Sequence, residues 1–183
     1  MIGKIDLIIG CMFSGKSTEI IRLINRYKAL DKQILIVNHS SDTRYKNNCI
    51  STHSNINVNC ISITNLNDLK CDNKYKYNSI DVIVIEEGQF FNGLYEFTME
   101  ACEKDNKIII IAGLDGDSNR EEFGDIIKLI PKCDNVTKLH ALCSICKDGT
   151  LAPFTKRLVE NNSQVLIGVN EFMPVCRYHY LKN

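Results

Sequence analysis

The chain has 183 residues, enough for one full hydrophobic core and a small appendage but not for a third packed unit. Lys plus Arg equals Asp plus Glu at 22 each, which excludes a strong basic field for sequence-blind nucleic-acid binding and favours a small polar partner. No apolar run approaches the ~18 residues that cross a bilayer, and no charged, apolar, small-residue leader pattern opens the chain, so no membrane partner and a cytoplasmic location are expected.

The first element in chain order is a strand from Ile5 to Ile9, a continuous β-branched run of the kind buried on both faces of a sheet. It runs into Gly10, Cys11, Met12, Phe13, Ser14, Gly15, Lys16, Ser17 and Thr18, and a helical pattern follows from Ser17 to Leu30 with Ile20, Ile24 and Tyr27 on one stripe. Glycine, four residues, Gly-Lys-Ser between a strand and a helix is the phosphate-binding loop. Gly15 lets the backbone approach an anion, the helix presents its positive end, Lys16 neutralises the terminal phosphates and Ser17 offers a hydroxyl to Mg²⁺. A chance turn with a surface lysine would need four positions and both flanking elements to coincide. The loop therefore holds a nucleoside triphosphate, although kinases, motors and switches all use it.

A second strand is expected at Ile34 to Val37. Residues 38–78 are rich in Asn, Ser and Lys and read as a long loop region, ordered only around Val58 to Ile63 and "NLNDL". The strand Asp81 to Ile85 ends in Glu86 and Glu87, where a parallel sheet opens onto its crevice. One acid there organises Mg²⁺ and the other can take a proton from a hydroxyl or water; without the phosphate loop, the pair reads equally well as a solvated turn. A helix from Leu94 to Glu103, a strand from Ile108 to Ala112 and a helix from Phe123 to Leu129 closed by Pro131 complete an alternation that predicts a parallel sheet with helices on its faces. Phe123 falls inside that helix, which favours packing in the core over a turn toward the crevice.

From residue 139 the pattern changes to turns and cysteines, dividing a nucleotide-binding α/β domain, residues 1–138, from a small second unit, residues 139–183. Of nine cysteines, Cys11, Cys49, Cys60, Cys71, Cys102 and Cys133 show no paired spacing and read as small hydrophobes. Cys143-x-x-Cys146 and Cys176-x-x-His179 each place two soft ligands on a tight turn and together make a four-coordinate zinc site. Four protein ligands leave no open position, so the zinc is structural.

"GCMFSGKST", "DTRY" from Asp42, "STH" from Ser51, "EEGQFF" from Glu86, "LDG" from Leu114, "TKRL" from Thr155 and the cysteine pairs occur in an order that resembles the zinc-containing thymidine kinases of the cellular and poxviral type. The resemblance spans nearly the whole chain. It implies a RecA-like phosphate-loop domain, a zinc-anchored lasso folded over a nucleoside, and ATP-dependent phosphorylation of the thymidine 5′-hydroxyl in pyrimidine salvage. It further implies that Glu87 is the general base, that Glu86 helps Ser17 hold Mg²⁺ where the family usually has Asp, and that Arg44 stabilises phosphoryl charge. Met12, Phe90, Leu114 and Thr155 would line the nucleoside pocket, the backbone of Val165, Leu166, Ile167 and Gly168 would meet the pyrimidine edge, and Phe172 would stand near a family tyrosine. The family reads "LDGTF" where this chain reads "LDGDS", so Ser118 replaces an aromatic that stacks on the base. The family also implies a homotetramer.

Three other readings compete. One is a related deoxynucleoside kinase with altered base choice, and one is a nucleotide hydrolase in which Glu87 activates water. The third is a zinc-ribbon nucleic-acid motor, which the balanced charge disfavours.

Overall fold

Continuous apolar strands must be covered on both faces, and the chain supplies a helix for each. The computed structural model describes residues 2–41, 49–51, 57–160, 163–166, 168 and 170–182. In chain order the elements are β1 (Lys4–Gly10), α1 (Lys16–Lys28), β2 (Ile34–His39), β3 (Cys49–Ser51), β4 (Asn57–Asn59), β5 (Ile61–Ile63), α2 (Asp68–Cys71), β6 (Val82–Ile85), α3 (Leu94–Glu103), β7 (Ile108–Gly113) and β8 (Asn135–Leu139). Six of the strands form one sheet in the order β5-β2-β6-β7-β1-β8, and every pairing is parallel.

Side chains alternate between the two faces. Ile5, Leu7 and Ile9 of β1, Ile83 and Ile85 of β6, and Ile109 and Ile111 of β7 pack with Leu94, Phe97 and Ala101 of α3. Ile8, Val82, Val84, Ile108 and Ile110 pack on the opposite face with Ile20 and Ile24 of α1. Each fully buried isoleucine contributes roughly 1.5–3 kcal/mol relative to an exposed one, so this alternation holds the sheet between its helices.

The carboxyl ends of β1, β6 and β7 lie side by side, and the chain leaves a sheet covered on both faces through the loops at those ends. Beyond β8 come two small hairpins, β9 (Ala141–Leu142) with β10 (Leu151–Ala152), and β11 (Phe154–Arg157) with β12 (Phe172–Val175), followed by α4 (Arg177–Leu181). No helix among the described residues is long and apolar enough to cross a membrane.

Three local expectations differ from the structure. The long loop region has β4, β5 and the start of α2 where order was expected, at Val58 to Ile63 and "NLNDL", and adds β3, which pairs antiparallel with β4. β8 lies at a sheet edge with most of its side chains toward solvent, so its polar sequence lacks the apolar run of a buried strand. The helix expected at Phe123 is instead a 3₁₀ segment over Ile126–Lys132. Gly124 intervenes with φ 62°, packed so closely that a Cβ would come within 2.2 Å of the Gln89 carbonyl oxygen, and Phe123 is left outside the helix.

Truncating Ile110 to Ala should lower unfolding free energy by about 3 kcal/mol, because its side chain is fully buried between β7 and α1. Urea denaturation should show a lower midpoint at unchanged slope; a loss below about 1 kcal/mol would contradict the packing described.

Candidate functional site

The loop between β1 and α1 is shaped by the change from strand to helix. Gly15 adopts φ 87° at the helix N-cap, where a Cβ would meet nothing within 4 Å, so the backbone is open on that side. A glycine cap has no side chain to satisfy the first-turn N–H groups of α1, which leaves them and the positive helix end for an anion. Thr18 and Ser17 lie in that first turn, and Lys16 Nζ donates to the Cys11 carbonyl at 2.8 Å, curling the ammonium over the loop. Phe13 takes φ 64°, and the Ser14 hydroxyl is buried with no partner among the described residues, a donor that a phosphate oxygen would satisfy. Gly10 ends β1, and Cys11 and Met12 are buried beside it.

Across the crevice, β6 delivers Glu86 and Glu87 in different directions. Glu86 accepts a hydrogen bond from the Ser17 hydroxyl, joining the end of β6 to the start of α1 although β7 lies between β6 and β1 in the sheet. A hydroxyl and a carboxylate held together beside a phosphate loop are hard oxygen ligands of the kind Mg²⁺ takes. Glu87 sits in the left-handed region at φ 54°, a strained conformation for a residue with a Cβ, and this turns its side chain away from Glu86. Its Oε2 accepts from Gln89 Nε2 at 2.5 Å, and Gln89 Oε1 accepts the Leu114 N–H at 3.0 Å. Gln89 is 3 % exposed, so a buried amide fixes the carboxylate against the loop that follows β7.

Glu87 faces a cavity of about 500 Å³, open solvent at its mouth included. Met12, Phe90, Leu114, Ser118, Thr155, Leu166, Gly168 and Phe172 line it, so the structure brings these expected residues together from well-separated stretches of chain. Val165 is 44 % exposed and is not part of this lining, and Arg44 and Ile167 lie outside the described residues. Phe123 is buried as expected, 7 % exposed, and also lines the cavity, where it meets Phe90 edge to face at 5.5 Å between ring centroids. An aromatic ring therefore reaches the cavity although Ser118 has none. Gln89, Asp117, Arg157 and Gln164 also line it and were not expected there. Gln89, Asp117 and Arg157 stood inside quoted stretches without being singled out, whereas Gln164 stood in none of the motifs quoted above.

Cys143, Cys146, Cys176 and His179 converge so that their ligand atoms all lie within 4.8 Å of one another. Cys143 and Cys146 occupy the turn between β9 and β10, Cys176 follows β12, and His179 is on α4. His179 Nδ1 lies 3.6, 3.3 and 3.4 Å from the sulfurs of Cys143, Cys146 and Cys176, and Cys146 Sγ lies 3.8 Å from Cys176 Sγ. Tetrahedral zinc with metal–sulfur bonds near 2.3 Å separates its ligands by about 3.5–3.8 Å, so the donor set fits this ion. Burial raises the Cys143 thiol, but N–H groups of Cys146, Cys176 and Ile145 and the His179 ring outweigh it and bring it down to about 6. Burial and the neighbouring Cys143 and Cys176 push Cys146 up to about 11, a cost that a bound cation would reverse.

This unit is bonded to the phosphate loop. Cys11 Sγ donates to the Ala152 carbonyl at 3.1 Å, the Met12 N–H donates to Thr155 Oγ1 at 3.0 Å, and Cys11 shares a small apolar cluster with Ala141, Cys143, Ala152, Val175 and Cys176. Tyr180, next to His179, donates to the Ser118 carbonyl at 2.7 Å. Cys143→Ser should therefore lower bound zinc below one equivalent and reduce the thermal midpoint by several degrees. Full zinc content in the purified variant would remove Cys143 from the ligand set.

A sequence model of the family described as thymidine kinase matches residues 3–180. The chain is 40% identical over 185 residues to "Thymidine kinase a" of Arabidopsis thaliana, covering 99% of this chain and 76% of that protein. It is 45% identical over 180 residues to the thymidine kinase of Sheeppox virus (strain KS-1), covering 97% of both chains. "Thymidine kinase 1" of Dictyostelium discoideum is 39% identical over 183 residues, with 97% of this chain and 78% of that protein covered. Matched by that family model over nearly its whole length and at 39–45% identity by these relatives, the chain belongs to the thymidine kinase family.

Proposed function

We propose that the chain transfers the γ-phosphoryl group of ATP to the 5′-hydroxyl of thymidine, a pyrimidine-salvage step that feeds DNA synthesis. The observation that carries this reading is the divergence of the two adjacent acids. Glu86 is bonded to Ser17 at the phosphate loop, while Glu87 opens into a cavity with aromatic walls. A carboxylate facing a nucleoside cavity is placed to accept the proton of the attacking hydroxyl.

In this reading the residues from Gly10 to Thr18 hold the triphosphate, with Lys16 against the terminal phosphates. Ser17 and Glu86 hold Mg²⁺, which when bound neutralises charge on the β- and γ-phosphates. Glu87 takes the 5′-hydroxyl proton as that oxygen forms a bond to the γ-phosphorus. The bond from the γ-phosphorus to the bridging oxygen breaks, and ADP leaves with the electron pair. Gln89 keeps Glu87 aimed, and Arg44 meets charge on the transferred group. Phe90, Phe123 and Met12 form the slot for the base, and the backbone from Val165 to Gly168 meets its polar edge.

Zinc on Cys143, Cys146, Cys176 and His179 is structural, and residues 1–138 and 139–183 form the nucleotide-binding domain and the lasso domain. The protein works in the cytoplasm as a homotetramer, as the family resemblance implies. Ser118 favours one variant of the reading, a deoxynucleoside kinase of broader base choice, because a serine stacks on no ring. Phe123 at the cavity wall favours thymidine.

Two sets of variants test the reading in a coupled assay over the common nucleosides. Lys16→Ala should remain folded and lose transfer; wild-type turnover would end the phosphate-loop assignment. Glu87→Gln should lower kcat by about 10²–10⁴ with ATP affinity nearly unchanged. Glu86→Gln should regain part of its activity at high Mg²⁺, and Glu86→Asp should be tolerated. Normal turnover by Glu87→Gln, or equal inactivity of Glu86→Asp, would overturn the division of roles.

A further inference from the structure

Asp117 and Gln164, from separate loops, line the same cavity, and neither has a part in the phosphoryl transfer described above. Asp117 is 8 % exposed, and its carboxylate is already oriented: Oδ1 accepts the N–H groups of Asn119 at 2.8 Å and Glu121 at 3.0 Å. These bonds hold the side chain in one direction and leave Oδ2 facing the strap of chain between β11 and β12. Gln164 on that strap donates Nε2 to Asp117 Oδ2 at 3.0 Å and to the Glu122 carbonyl at 3.1 Å.

The other side of Gln164 is also held. Its backbone carbonyl accepts from the Arg157 guanidinium at 3.3 Å, and that guanidinium lies over the Phe172 ring at 5.5 Å. Gln164 thus ties β11 to the loop after β7 across the cavity mouth. Leu166, two residues further along, lines the cavity as a consequence of where Gln164 is fixed.

We infer that Asp117 and Gln164 are a positioning pair that seats residues 163–166 at the nucleoside cavity and sets nucleoside affinity without acting on the chemistry. The inference rests on the reading of this cavity as the nucleoside site. A carboxylate is the suited partner, because a hydrogen bond to a charged acceptor is stronger than one between neutral groups, and the bond is made at a rim where a neutral pair would compete poorly with water. The pair acts on binding, so its loss appears in KM.

Gln164→Glu places two carboxylates face to face and should raise nucleoside KM by about tenfold, with kcat and ATP KM within about twofold of wild type. Gln164→Ala, which removes the bond without repulsion, should raise KM by about threefold to fivefold. The decisive variant combines Gln164→Glu with Asp117→Asn. The substituted amide keeps an oxygen for the N–H groups of residues 119 and 121 and offers its nitrogen to the new carboxylate, so KM should return to within about threefold of wild type. The thermal midpoint of each variant, measured without nucleoside, should match wild type. An unchanged KM in Gln164→Glu, a failure of the double variant to recover it, or a loss confined to kcat would each overturn the pairing. The kinetics are measured on whichever nucleoside the wild-type protein phosphorylates. Wild-type inactivity on every nucleoside would refute the functional reading itself, whereas active wild type with indifferent variants would refute only the pair.

Discussion

The double-sided burial of the parallel sheet is the constraint on which everything else depends. β1, β6 and β7 send alternate isoleucines, leucines and valines to α1 on one face and α3 on the other, so neither face can accept a ligand. Parallel pairing points the carboxyl ends of all three strands the same way, and each chain must turn there. The phosphate loop, the two acids and the Leu114 loop are those turns. Catalytic groups far apart in sequence become neighbours because the core admits no other exit.

Within that crevice, two adjacent carboxylates acquire different tasks from backbone geometry. Glu86 continues the line of β6 and reaches Ser17, whereas the left-handed turn at Glu87 redirects the next side chain into the cavity. Strain of this kind costs on the order of 1–3 kcal/mol and persists only where surrounding bonds hold it. Gln89, buried and bonded to both Glu87 and the Leu114 N–H, supplies such bonds. The arrangement gives two adjacent acids different partners, Ser17 for one and Gln89 for the other, one step apart along the chain.

The small C-terminal unit carries more than a cover. Its four metal-ligand side chains organise two hairpins, each too short to hold a core of its own, and its hydrogen bonds reach Cys11 and Met12 on one side and Ser118 on the other. A change at the metal cluster therefore reaches both the phosphate loop and the cavity wall. This physical continuity crosses the chain position at which the composition changes.

Much was legible in local pattern. Buried strands announce themselves as unbroken β-branched runs, so β1, β2, β6 and β7 were found within two residues of their ends, and α3 was found in full. The loop from Gly10 to Thr18 and the pairs Cys143-x-x-Cys146 and Cys176-x-x-His179 are readable as fixed short spacings of the kind that phosphate and zinc impose. β8 shows no sequence signal because an edge strand needs no continuous apolar run, and periodicity cannot foresee that Gly124 packs on Gln89 and delays the helical turn to Ile126, leaving Phe123 before it. By itself the sequence determined four strands of the sheet, the Gly10–Thr18 spacing and the two short ligand pairs, because each is a pattern contained in a short window of chain. Tertiary structure alone decided between core and cavity for Phe123, bonded Gln89 to the Leu114 N–H and brought Asp117 to Gln164, because each depends on two loops brought together by a core that no short window of sequence contains.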